Sequence, residues 1–428
     1  MSLIGSMVEK LLGENGSITI IEPGKQPQTH GKGGGRTLTV RLTDGKVVRD
    51  IFRNPRLGFG EAYMEGRLVI ENGSVLDLLE LVMGSNPWEE GKLQRGLLAK
   101  GKSGLKRLFQ RNDPQRSKRN VAHHYDLGDD LYDLFLDSDR QYSCAYFNSP
   151  DDELEEAQWN KKAHIAAKLA LRPGQRVLDI GCGWGGLALF LHSQAGVDVL
   201  GITLSEDQLR VARKRAEDAG VSDHVKFELI DYRALEGEFD RIVSVGMFEH
   251  VGARHYDEFY ECCRRLLKRD GVMLLHTIGK LGSAGRPDPF TDKWIFPGYH
   301  LPSLSQMCAA SEKVRLIVSD VETLRLHYAY TLRHWLARVT RNRGKIEAMY
   351  DARFFRMWEF YLAAGIVMFE SGAACNYQVQ YVRDRQALPI TRDYMGEAEK
   401  VLRVKPSATK KGPAQSRRTP SSKQKEPA

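Results

Sequence analysis

No run of about 18 consecutive apolar residues, the length a membrane-spanning helix needs, occurs in the 428 residues. A bilayer-crossing segment is therefore not expected. Met1–Leu12 carries one lysine and no long apolar stretch, so the basic start and apolar body of a secretory signal are missing too. A cytoplasmic location is expected. Six cysteines (Cys144, Cys182, Cys262, Cys263, Cys308, Cys375) show no CxxC spacing, which speaks against a zinc site and against a disulfide framework. Reduced thiols and no metal are expected.

The composition that remains is that of a globular protein, 42% hydrophobic and 28% charged with a mean hydropathy of −0.42. A chain of 428 residues exceeds one ordinary core, so two domains are expected. The net charge of +8 is unevenly spread: residues 91–120 hold ten Lys or Arg against Asp113, and residues 405–428 hold seven against Glu426, leaving −7 for the rest. Interleaved with Leu93, Leu97, Leu98, Leu105, Leu108 and Phe109, the first basic segment could lie on an anionic lipid surface, contact nucleic-acid phosphates, or stay solvated.

Residues 1–90 read as a small α+β domain: Leu38–Leu42 is strand-like, Asp44-Gly45 and Asn72-Gly73 mark turns, and Val75–Met83 is an apolar helix. Gly24–Gly35 reads as a flexible loop. Residues 91–120 form the basic linker, residues 121–403 a larger domain, and residues 404–428 a disordered tail too polar to bury a core. In the larger domain, strands are predicted at Arg176–Ile180, Asp198–Ile202, Val225–Ile230, Phe239–Val245 and Val272–Thr277. Helices are predicted at Gly185–Gln194, Ser205–Ala219 and Tyr256–Leu267. Such alternation predicts a doubly wound α/β domain around a parallel sheet. Gly279–Pro302, rich in Gly, Pro and aromatics, is expected to contribute to a lid, and the nearly all-apolar Met357–Phe369 is either a buried cap helix or the wall of an acyl-chain tunnel.

Where the first of these strands turns into a helix, Asp179-Ile180-Gly181-Cys182-Gly183-Trp184-Gly185-Gly186 clusters glycines as a backbone does that must approach a ligand closely. Gly181, Gly183 and Gly186 satisfy GxGxxG, a weak dinucleotide signal by itself, and the loop lacks the GK[ST] of a P-loop. An NAD site would place Asp or Glu at the end of the second strand for the ribose. Thr203 stands there, with Ser205 and Gln208 beside it, neutral hydrogen-bonding groups suited to a ribose or a methionine carboxylate.

Five strings together resemble the cyclopropane-fatty-acyl-phospholipid synthase family from about His123 to Val382: Tyr142-Ser143-Cys144-Ala145-Tyr146-Phe147, Val177–Gly186, Gly201–Ser205 with Gln208, Asp240–Val251, and Leu274–Gly279. Leu57-Gly58-Phe59-Gly60-Glu61-Ala62-Tyr63-Met64 is similar to the N-terminal domain of the longer, phospholipid-acting members. The resemblance implies a Rossmann-like methyltransferase fold with a helical cap and S-adenosylmethionine as cofactor. Asp179, the loop glycines Gly181, Gly183 and Gly185, Thr203, Gln208, Asp231 and Tyr232 would contact that cofactor, and Tyr142 and Ser143 would close over its sulfonium end. It also implies a bound bicarbonate, held by residues that match Cys144, Glu249, His276, Ile278 and Tyr328.

The chemistry implied is attack of a cis double bond on the sulfonium methyl in a water-excluding site, followed by loss of a proton from the added carbon to close the ring. Where many relatives carry a cysteine in the apolar cap helix, this chain has Gly365, so a thiol nucleophile at that place is excluded. Three readings stay open: cyclopropane formation on phospholipid acyl chains, a methyl or methylene branch on the same lipids, and N-methylation of a small molecule. The expected partners are membrane phospholipids at an anionic surface on the inner face of the membrane, with no nucleic acid and with a homodimer left open.

Overall fold

The computed structural model describes residues 16–83, 87–90, 128–285 and 287–405, together with Val8, Glu9 and Leu12. The basic linker and nearly all of the basic tail named above lie outside the described residues.

The N-terminal unit is a four-stranded sheet, β1 (Gly16–Ile21), β2 (Gln28–Gly31), β3 (Arg36–Leu42) and β4 (Leu68–Ile70), in the order β2-β1-β3-β4. β2 falls inside the stretch expected to be a flexible loop; pairing of Gln28–Gly31 with Ser17–Ile20 orders it. Helices α1 (Lys46–Arg53), α2 (Pro55–Met64) and α3 (Val75–Met83) belong to the same unit. Asn54 separates the first two, with an extended φ of −151°, a side chain that accepts from Leu57 N, and Pro55 after it at the first helical position. Alternate residues of the strands, among them Ile18, Ile20, Leu38, Val40 and Leu42, bury one face beneath Val47, Ile51 and Leu78.

The larger unit begins with α4 (Asp129–Asp133), the strap 134–153 and α5 (Leu154–Lys168). Then follow β5 (Arg176–Ile180), α6 (Gly186–Ala195), β6 (Asp198–Thr203), α7 (Glu206–Asp218), β7 (Val225–Leu229), β8 (Phe239–Val245), α8 (Tyr256–Leu266) and β9 (Leu267–Gly279), close to the boundaries the sequence predicts except for β9, which extends beyond the predicted Val272–Thr277 at both ends. Ser205 caps α7 by accepting from Gln208 N at 3.3 Å. The remaining elements are α9 (Pro289–Trp294), α10 (Leu304–Lys313), β10 (Ile317–Leu324), α11 (His327–Arg341), α12 (Arg343–Met349), α13 (Ala352–Glu370), β11 (Cys375–Val382) and α14 (Asp393–Leu402).

The seven-stranded sheet runs β10-β11-β9-β8-β5-β6-β7. Strands β5 to β9 are parallel, whereas β11 is antiparallel to both β9 and β10, an addition the sequence reading did not anticipate. The order reverses at β5, which has β8 on one side and β6 on the other, so a crevice opens at the carboxyl ends of these strands.

α13, predicted as a buried cap helix or a tunnel wall, buries Phe355, Trp358, Phe360, Leu362, Ile366 and Phe369. It joins the two units: Tyr63 donates to Glu359 at 2.5 Å, Arg356 donates to the Met64 carbonyl at 2.8 Å, and Arg353 pairs with Glu65. Gly60 sits in that joint, where an added Cβ would lie 2.5 Å from Phe290 of α9 and 2.8 Å from Phe360 of α13.

Candidate active site

One cavity lies at the carboxyl ends of β5, β6 and β8, closed over by the strap at Arg140–Ser143 and by Pro297 and Gly298 of the predicted lid. Nine of the ten positions expected at a cofactor line it: Tyr142, Ser143, Asp179, Gly181, Gly183, Thr203, Gln208, Asp231 and Tyr232. Gly185 does not. Its φ is 81° and its Cβ position lies 2.6 Å from Phe227, so glycine is needed there for packing beneath β7. Gly183, by contrast, has a φ of 55° and nothing within 4 Å of its Cβ position.

The polar groups of the cavity are partly committed. Thr203 Oγ1 donates to Gln208 Oε1 at 3.0 Å and accepts from Ser205 N at 3.1 Å, which leaves the Gln208 amide NH2 for a ligand. Arg233 grips both oxygens of Asp231, at 2.9 and 2.6 Å. Burial works against the Asp231 charge, but these bonds outweigh it and keep the carboxyl below its ordinary range. Asp179 is different. It is 1% exposed, its Oδ2 is buried without a hydrogen-bond partner, and burial pushes it up to about 7. An orphaned carboxyl oxygen, free amide donors and the Tyr232 ring fit a ligand with one aromatic and one zwitterionic end, as S-adenosylmethionine has.

The strap walls this cavity off from the cap helices. Tyr142 stacks on Trp335 with centroids 5.1 Å apart, meets the edges of Tyr132 and Phe135, and places its hydroxyl 3.3 Å from that of Tyr361. At Gly365 an added Cβ would stand 3.0 Å from Leu332, so the packing leaves little space for a longer side chain.

The five residues expected at a bound anion come from four parts of the chain. Glu249, in the turn Phe248–His250 after β8, is 5% exposed; its Oε1 accepts from Ile278 N at 2.6 Å and its Oε2 is buried without a partner. Burial pushes this carboxyl up to about 7, so near neutral pH a large share of it carries a proton it can donate. Cys144, Tyr328 and Ile278 share one apolar cluster, and Ala145 N donates at 3.0 Å to Thr331, one turn along α11 from Tyr328. Burial also raises the Cys144 thiol, which stays neutral.

His276 is 1% exposed, on the same face of β9 as Ile278. Its Nε2 lies 2.7 Å from the Asn376 side-chain amide and its Nδ1 lies 3.1 Å from that of Gln378. Burial holds the ring well below its ordinary pKa. A neutral imidazole donates at one nitrogen and accepts at the other, so one of these amides turns its oxygen to the ring. Both partners stand on β11. None of the five residues lines the cofactor cavity, although Met247 and His250 on either side of Glu249 do.

Several functional neighbours escaped the sequence reading: Arg233, Met247 and His250 at the cavity, Asn376 and Gln378 around His276, and Lys161 behind the strap. An Arg two residues after Asp231 was a usable signal; the others depend on contacts distant in sequence. His192, Asp198 and His224 gather ligand atoms within 4.8 Å of one another, but at the amino end of β6, away from the cavity.

Residues 112–379 match the family model described as mycolic acid cyclopropane synthetase. The chain is 37% identical over 350 residues to cyclopropane-fatty-acyl-phospholipid synthase of Escherichia coli, an alignment covering 82% of this chain and 89% of that one. It is 37% identical over 266 residues to cyclopropane mycolic acid synthase 1 of Mycobacterium tuberculosis, covering 59% of this chain and 93% of the relative. Among solved structures, mycolic acid cyclopropane synthase CmaA1 complexed with SAH and CTAB superposes with a TM-score of 0.59 at 36% identity, over 62% of this chain and 97% of its own. The chain therefore belongs to the mycolic acid cyclopropane synthetase family, as an S-adenosylmethionine-dependent methyltransferase of the cyclopropane-fatty-acyl-phospholipid synthase type.

Proposed function

We propose that the enzyme adds a methylene group from S-adenosylmethionine across the cis double bond of an unsaturated phospholipid acyl chain. The observation that carries this reading is the paired site: a cofactor cavity set against an aromatic, apolar cap across the Tyr142 strap. The choice of intact phospholipid rests on length. The Escherichia coli relative aligns over 82% of the chain, whereas the mycolic acid synthase aligns over 59%.

S-adenosylmethionine supplies an electrophilic methyl group when bound. Tyr142 and Ser143 close that end of the cavity, and Thr203 and Gln208 hold polar parts of the cofactor. The cap cluster excludes water, which would otherwise capture the cation left when the double bond attacks. Aromatic faces at Tyr142, Trp335 and Tyr328 can steady that cation, since a ring face attracts positive charge. A proton must then leave the added carbon.

Bicarbonate, when bound, would supply the base for that proton. Glu249, Tyr328 and the backbone at Cys144 would hold that anion, while Ile278, whose N–H is given to Glu249 Oε1, would position the carboxyl; the unpartnered Glu249 oxygen stands on a carboxyl that retains a proton near neutrality. His276, with both nitrogens engaged on β11, would orient the end of β9. No helix among the described residues is long and apolar enough to cross a membrane, so the enzyme would work from the bilayer surface and draw an acyl chain inward. The test is expression in cells rich in monounsaturated phospholipids with analysis of acyl chains by mass and NMR. A gain of one CH2 as a cyclopropane ring is expected; a methyl or methylene branch of similar mass, or unchanged lipids, would overturn the assignment.

A further inference from the structure

Lys161 is fully buried on α5, and no carboxylate among the described residues is hydrogen-bonded to it. Its Nζ donates to Gln141 Oε1 at 2.5 Å and to Ser143 Oγ at 2.9 Å, both neutral oxygens on the strap. Asp137 and Asp139 act on it only through space: Asp137 accepts from the backbone N–H groups of Gln141 and Asp139, and Asp139 is taken by Lys162 and Arg215. The groups facing Lys161 are Asp137, Asp139 and Cys144 on the strap, Lys162 on its own helix, Asp179 on β5 and His276 on β9. Burial lowers its pKa to about 8, which leaves it mostly charged at neutral pH. A buried cation without a bonded anion is costly to keep in a fold.

The geometry gives that charge a use. An ammonium is only a donor, so Ser143 Oγ accepts from Lys161 and its own O–H must point elsewhere. Gln158 fixes the strap backbone by donating to the carbonyls of Gln141 and Ser143, and Asp137 accepts from Gln141 N. Ser143 lines the cofactor cavity with a hydroxyl backed by positive charge. Asp179 lines the same cavity with an unpartnered carboxyl oxygen.

We infer that Lys161 is a positioning residue which, acting through Ser143, makes this end of the cavity together with Asp179 a receptor for the zwitterionic amino-acid end of the cofactor. The carboxylate would accept from Ser143, and the α-ammonium would face Asp179 and favour its ionised form. This rests on the cavity being the S-adenosylmethionine site.

The test separates the two ends of the ligand. S-adenosylhomocysteine carries the amino-acid end, and 5′-methylthioadenosine lacks it. Calorimetric titration of both into wild type, Lys161→Met, Ser143→Ala and the double variant gives the comparison. Each single variant is expected to bind S-adenosylhomocysteine about ten-fold or more weakly, with 5′-methylthioadenosine changed by less than about two-fold. The double variant should be no weaker than the weaker single one, because both changes remove one interaction. Retained 5′-methylthioadenosine binding also reports that Lys161→Met is folded; should it not fold, Ser143→Ala still carries the comparison. Equal loss of both ligands, or losses that multiply in the double variant, would overturn the inference. Wild-type protein that binds neither ligand would instead overturn the cofactor reading beneath it.

Discussion

Glu249→Gln should make the protein more stable above neutral pH while removing most of its turnover. The rise of this carboxyl from its ordinary 4.5 to about 7 corresponds to roughly 3 kcal/mol of preference for the protonated form in the folded state. Folded Glu249 binds its proton more tightly than the unfolded chain does, so this residue's contribution declines as pH rises from 4.5 to about 7 and stays low above that. Glutamine keeps an oxygen for Ile278 N but cannot ionise. Its new NH2, left unpaired, costs about a further 1 kcal/mol at every pH, a term that cancels when two pH values are compared. Urea denaturation of both proteins at about pH 5 and about pH 8 should show the variant gaining on wild type by roughly 2 to 3 kcal/mol between the two. S-adenosylhomocysteine binding should be retained, since Glu249 lies outside the cofactor cavity. A stability difference that does not grow with pH would refute the burial argument, and cofactor binding lost in step with activity would refute the role.

The other predictions follow from single features. His276→Ala should retain cofactor binding and lose most turnover, measured by titration and by product formation on vesicles, because it leaves Asn376 and Gln378 without the ring that organises them. Gly183→Val should abolish S-adenosylhomocysteine binding with a modest loss in melting temperature, since its side chain would enter open cavity space at a φ of 55°. Neutralising Lys100, Lys102, Lys106 and Arg107 together should lower sedimentation with anionic vesicles, and activity on them, far more than removing residues after Val404. Each cation near such a surface contributes at most about 1 kcal/mol, and the gain should vanish at high salt.

The strands of the parallel sheet were legible because each is a short apolar run between glycine-rich or capped turns, as at Arg176–Ile180 before the glycine loop and Asp198–Thr203 before the Ser205 cap. The antiparallel β11 was not. Its buried Asn376, Gln378 and Gln380 alternate with apolar residues in a pattern that reads as a half-exposed strand or a loop, and its place between β10 and β9, the latter about a hundred residues earlier, with both faces buried, depends on contacts distant in sequence. The same separation hid the partners of His276. Lys161 was missed for a different reason: a Lys-Lys pair on a helix ordinarily marks a solvated face, and here α5 is buried nearly all round. Seven of the nine cavity-lining positions, Asp179, Gly181, Gly183, Thr203, Gln208, Asp231 and Tyr232, sit at or just beyond the carboxyl ends of strands, where the fold itself fixes their place, whereas Tyr142 and Ser143 stand on the strap and rest on the resemblance; Gly185 was grouped with them by its spacing, although its local geometry serves Phe227.

The joint at Gly60 makes the two units poor candidates for independent exchange. A hydrogen atom is all that fits between α2 and the rings of Phe290 and Phe360, one on the lid helix and one on the cap helix. A chimera that grafts another N-terminal unit onto this catalytic unit therefore inherits a steric condition as well as a sequence boundary. The incoming helix must offer the same bare backbone opposite both rings, or its first methyl group will wedge lid and cap apart at once.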